Sequence, residues 1–191
     1  MENKINLDND VIVLYALATP VNESIKHIAA LNVINEKINI GENQFFTILS
    51  ETTSQCLLME LSKIYDSASF RTDSNCSVKK LKEVCLNDLK HFPNGQNDDI
   101  ISEIDNLCNM FEEVVSKHLR NKKLAHHDLK EMFFGKQSCL SASKVQELTE
   151  KTAQLLAKVS NRILGAELKL QSINDYMTDY EKSLEDYKQR G

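Results

Sequence analysis

Between Lys117 and Lys130 the chain carries Arg120, four lysines (Lys117, Lys122, Lys123 and Lys130) and three histidines (His118, His126 and His127) against one acid, Asp128. These types can do chemistry together. Histidine is the side chain that gains and loses a proton near neutral pH. Arginine presents a planar, permanently charged fork that fits phosphate oxygens. The combination suits an RNA phosphodiester, but a solvated helix face has the same composition.

Helical geometry restricts what one copy can do. Residues six apart on a helix are turned by about 120°, so Arg120 and His126 do not face each other on one continuous helix. His127, seven residues on, lies nearly above Arg120, and Asn121 and Asp128 share a neighbouring line. Closing Arg120 and His126 around one phosphate requires a kink, or two copies related by a two-fold axis.

The rest of the chain must position this segment. Its 191 residues fit one domain with an extension. Hydrophobic residues make up 41% and charged ones 27%, enough for a core without staples. Five Gly and two Pro are too few for a turn-rich β fold, and the absence of Trp leaves the core to Leu, Ile and Val. A formal net charge of -5 disfavours nonspecific nucleic-acid binding but leaves room for a local basic patch.

The five cysteines, at 56, 76, 85, 108 and 139, form no CxxC pair, and most read as buried structural thiols. The start, MENKINLDNDV, is polar, and VIVLYALA is too short to span a bilayer. A reduced, cytoplasmic protein without membrane attachment is expected. Cys108, His118, His126 and Cys139 lack the short paired spacings of a metal site. Without a Gly-rich phosphate loop no nucleotide cofactor is implied either.

Apolar spacing predicts helices throughout. The first runs over about 10–38 through Ile25, Ile28, Ala29, Val33 and Ile34, with Pro20 expected to break or kink it. The second covers about 42–67, with Phe45, Leu49, Cys56, Met59 and Ile64 as its apolar face. SASFRTDSNCS reads as a loop, and Ser77 as the cap of a short helix to Leu89. HFPNGQNDD is a loop whose Asp98 or Asp99 caps the next helix. That helix runs from Ile100 to about Gly135, and the basic segment lies on it or interrupts it. From Val145 to Tyr187 a heptad-like seam continues, weakened at Gly165. As one helix it would reach roughly 60 Å, so it either meets a partner chain or folds back at Gly165.

The string RNKKLAHHD, Arg120 to Asp128, resembles the Rx4-6H signature of HEPN domains (higher eukaryotes and prokaryotes nucleotide-binding), and its RN…AH…acid pattern is similar to the abortive-infection-U-type branch. TILSETTSQCLLMELSKIYDSAS, residues 47–69, resembles that branch's preceding helix, with Asp66 closing it. The resemblance spans about residues 40–140. It implies an all-α, HEPN-like bundle, expected as four to five helices over residues 1–140; the heptad-like seam adds a long C-terminal helix over 141–191 packing on the core or on a partner chain.

It also implies a homodimer with both motifs in one cleft, and metal-independent endoribonuclease activity used as a toxin or in phage defence, with a cognate antitoxin as a further partner. Carried over residue by residue, His126 is the general acid/base, Arg120 the phosphate clamp and Asn121 the polar residue that orients the site. Lys122, Lys123 and His127 would steer RNA, and Asp66 and Asp128 would orient a histidine or pair with Arg120. His127 also satisfies the loose spacing. One subgroup has a tyrosine two residues after the histidine, modified by a partner enzyme; here that position is Asp128, so such regulation is not expected. The alternative is a noncatalytic HEPN-like module that binds RNA or protein.

Overall fold

A computed structural model describes residues 9–37, 44–70, 73–87, 97–115 and 141–190. Among these residues the fold is all-helical: α1 (Asn9–Lys37), α2 (Gln44–Ile64), α3 (Val78–Asn87), α4 (Asp98–Val114), α5 (Ala142–Leu164) and α6 (Ile173–Arg190). A hairpin of two-residue strands, β1 (Ser69–Phe70) and β2 (Asp73–Ser74), lies within the stretch read as a loop.

The long α1 organises the bundle, packing against α2, α3, α5 and α6. Its buried residues include Leu14, Leu17, Val21, Ile25, Ile28 and Ala29. The expected interruption at Pro20 does not occur, and the helix runs through it unbroken. Proline removes one backbone donor at a cost of about 3 kcal/mol. Burial of the flanking Leu17, Val21 and Ile25 offsets that at roughly 1.5–3 kcal/mol per side chain. Ser24 returns its hydroxyl proton to the Pro20 carbonyl at 2.8 Å and so needs no other partner in the core.

α2 also departs from the sequence reading. Its buried residues are Leu57, Leu58, Leu61 and Ile64, followed by Tyr65. Phe45, Leu49 and Met59, which the spacing assigned to the core, are exposed. The helix carries two apolar stripes, and only the one in its second half faces inward.

The remaining helices follow local rules. Ser77 caps α3, its Oγ accepting the Lys80 N–H at 3.3 Å. At α4 the cap position falls to Asn97 rather than Asp98 or Asp99; those two acids occupy the first turn, favourable for the helix dipole. α4 and α5 are antiparallel. Lys158 sits between Asp99 (2.9 Å) and Glu103 (3.0 Å), holding the Asp99 carboxyl below its ordinary range while its own ammonium is pushed up.

The C-terminal seam is two helices. α5 belongs to the core through Val145, Leu148, Leu155, Leu156 and Val159. Gly165 ends it in the left-handed region at φ 67, its N–H bonded to the Asn161 carbonyl at 3.0 Å. A Ser172–Asp175 capping box then starts α6, with Ser172 N–H bonded to the Asp175 carboxylate and Asp175 N–H to Ser172 Oγ. α6 lies along α1, tied by Tyr176 O–H to Asn22 Oδ1 at 3.1 Å and by the Lys37–Glu181 ion pair.

Three helices meet at Tyr65. Its ring stacks on Phe111 of α4 at 4.6 Å and 11°. Its hydroxyl lies 2.5 Å from Thr152 Oγ1 of α5. Thr152 gives its own proton to the Leu148 carbonyl at 2.7 Å, so the phenol is the donor. Burial pushes the phenol well above its usual range and keeps that proton in place.

The two ends of this bond are not equivalent. Tyr65→Phe leaves Thr152 bonded to Leu148 and is expected to cost about 0.5–1.5 kcal/mol. Thr152→Val strands a buried phenol and is expected to cost about 1–3 kcal/mol. Urea denaturation of the pair checks the order. Gly165→Ala meets no atom within 4 Å, so its expected loss of about 1–2 kcal/mol is backbone strain alone, read by the same titration.

Candidate functional site

The basic segment is bracketed by two helices. α4 ends at Val114, Val115 is fully buried and bonded back to the Phe111 carbonyl at 2.7 Å, and the chain resumes at Ser141 just before α5. Phe111 and Thr152 both touch Tyr65, and the Asp99–Lys158 pair marks the opposite end of the antiparallel pair. The C-terminus of α4 and the N-terminus of α5 therefore open at the end of the bundle where α2 stops. Arg120, Asn121, Lys122, Lys123, His126, His127 and Asp128 lie outside the described residues, as does the expected continuation of α4 to Gly135.

Asp66 is the one proposed site residue that is described. It sits next to the Tyr65 pin, exposed, at the end of the bundle from which the basic segment departs. Oδ1 accepts the Ser67 N–H at 2.8 Å and Oδ2 accepts the Asn75 amide at 3.3 Å. Asn75 also donates to the Ser67 carbonyl at 3.1 Å, closing the base of the β1–β2 hairpin. Asp66 thus has a turn-holding role that its sequence position did not disclose. A carboxylate offers about four lone-pair sites, so these two bonds leave it able to accept from a cation as well.

The sequence of this bundle matches a known family. The family model HEPN_AbiU2, described as AbiU2, matches residues 7–188. The chain belongs to the AbiU2 family of HEPN proteins. The match runs through α5 and α6, so both belong to the family's fold and not only residues 40–140, where the resemblance was first seen. Neither the curated proteins nor the solved structures give a match.

Cys85 is buried, Cys56 and Cys108 are half-buried and Cys76 is exposed. Burial pushes the Cys108 thiol up, away from the nucleophilic thiolate. His27, half-buried on α1, is shifted down by burial, against the pull of Glu23 and Glu60. No described helix is long and apolar enough to cross a membrane. Sequence reasoning missed the Tyr65–Thr152 pin; the only local signal was a tyrosine at the end of an amphipathic helix.

Removing the turn role of Asp66 is expected to be mild. Asp66→Ala should lose about 0.5–1.5 kcal/mol, the range for a hydrogen bond, while Asp66→Asn keeps an acceptor for Ser67 N–H and should lose less. Thermal or urea unfolding of both variants checks the ranking.

Proposed function

We propose that this AbiU2-family protein is a metal-independent endoribonuclease acting as a homodimer, a bacterial toxin or antiphage effector. The observation that carries the reading is the RN…AH…D string, Arg120 to Asp128, in a chain that matches the family over residues 7–188. The described ends of the bundle support it: Phe111, near the C-terminus of α4, and Thr152 of α5 both meet Tyr65 where α2 stops, next to Asp66.

The proposed chemistry uses the nucleophile that RNA supplies. His126 or its two-fold mate takes the proton of the 2′-hydroxyl, and O2′ attacks the adjacent phosphorus. The P–O5′ bond breaks and the leaving oxygen is protonated by the second imidazole. Arg120 spreads its fork over the non-bridging oxygens as charge grows there. Lys122, Lys123 and His127 attract the backbone, and Asn121 and Asp128 orient the site. No electron transfer and no metal-bound water is needed.

A second reading is a noncatalytic module that binds RNA or a protein such as a cognate antitoxin, and the net charge of -5 favours the protein partner. Purified protein mixed with total RNA in EDTA separates the two. Cleavage by the wild type that falls at least about 100-fold in Arg120→Ala and in His126→Ala is expected, the usual scale for a lost acid/base group. Binding without cleavage, unchanged in His126→Ala, would favour the module.

A further inference from the structure

The first half of α2 is built inside out. Its inward side carries Thr47, Ser50, Thr53 and Ser54, all half-buried, while its outward side carries Ile48 at 55%, Leu49 at 38% and Met59 at 49% exposure, with Phe45 at 65% on the same side. Two of these hydroxyls are bonded within the helix. Thr53 donates to the Leu49 carbonyl and Ser54 to the Ser50 carbonyl, each at 2.8 Å. From Gln44 to Met59 the sequence holds one charged residue, Glu51. A face left in solvent would normally be charged; the core of a protein–protein interface is depleted in charge.

We infer that this outer face of α2 is where a second copy of the chain packs, the two α2 helices running side by side in the same direction about a two-fold axis. Three observations favour a second copy over another occupant. The outward residues 45, 48, 52, 55 and 59 follow a heptad-like 3–4 spacing that pairs with itself. Phe45, Ile48, Leu49 and Met59 together offer roughly 300–400 Å² of apolar surface, about half of the ~800 Å² per partner that a stable dimer buries, and the uncharged Gln44, Thr52 and Gln55 extend it. With one acid and no base between residues 44 and 59, the face suits a like surface better than a nucleic acid.

The direction rests on the proposed function. Parallel α2 helices bring the two Tyr65 ends together, and with them both α4 C-termini, from which the basic segments leave. An antiparallel pair centred on Thr52 would set the Tyr65 levels about 40 Å apart along the axis.

The test uses the full chain. Light scattering should give the wild type twice the 21.8 kDa chain mass, and Ile48→Glu and Met59→Glu close to the single-chain mass with unchanged helical circular dichroism. At least a hundred-fold weakening of self-association is expected for each. A monomeric wild type, or glutamate variants that remain dimers, would overturn the interface. On mild oxidation Met59→Cys should form a disulfide-linked dimer beyond the wild-type background. In an antiparallel pair the two positions lie about 20 Å apart, too far to bridge, so a missing crosslink in a dimer overturns the parallel arrangement. Mass and crosslinking need no RNA, so they can fail while cleavage stands, and an inactive protein can still pair through α2.

Discussion

The alignment of three helices is set at one buried side chain, Tyr65. Tyr65 closes α2 and meets α4 through a stacked ring and α5 through a donated proton, so three helices separated widely in sequence are fixed at one point. A stacked aromatic pair contributes about 0.5–1.5 kcal/mol beyond its area, and the hydrogen bond is directional. Leucine at this position would supply the area but not the orientation. Orientation matters because α4 and α5 flank the basic segment in sequence, and Asp66 follows Tyr65 directly.

The opposite end is held by weaker forces. Lys158 bridges Asp99 and Glu103, and Lys82 meets Asp105 at 2.6 Å, but these groups are largely in solvent. Exposed pairs of this kind set alignment more than stability. α6 is likewise peripheral: it lies along α1 through half-buried Tyr176, Met177 and Tyr180, and among its described side chains the one buried apolar residue is Ile173. The firm part of the molecule is the α1, α2, α4 and α5 packing, with the Tyr65 contact at the end from which the Arg120–His126 segment leaves.

Much of this was legible in the sequence where the signal is local. The stripe from Ile25 to Ile34, the Ser77 cap and the glycine that ends α5 each follow from a few neighbouring residues. The elements misread were those decided at a distance. Pro20 is carried within a helix because surrounding helices bury its neighbours, which no local pattern reveals. The inward side of α2 could not be chosen from spacing, since Phe45, Leu49 and Met59 have the same periodicity as Leu57, Leu61 and Ile64; only contact with α1 selects between them. The Tyr65–Thr152 bond joins residues 87 positions apart. The Arg120–His126 string was readable because it is short and contiguous, and it points to the family that residues 7–188 match. What a two-fold mate adds to it belongs to quaternary structure, for which the inverted polarity of α2 is the available trace.

The proposed chemistry is tested most directly by the ends it leaves. Mass spectrometry of total RNA digested by the purified protein in EDTA should find 2′,3′-cyclic phosphates paired with 5′-hydroxyls, the products of attack by the substrate's own 2′-oxygen. Fragments ending in 3′-hydroxyl and 5′-phosphate would mean that water was the nucleophile and would contradict the assignment of Arg120 and His126.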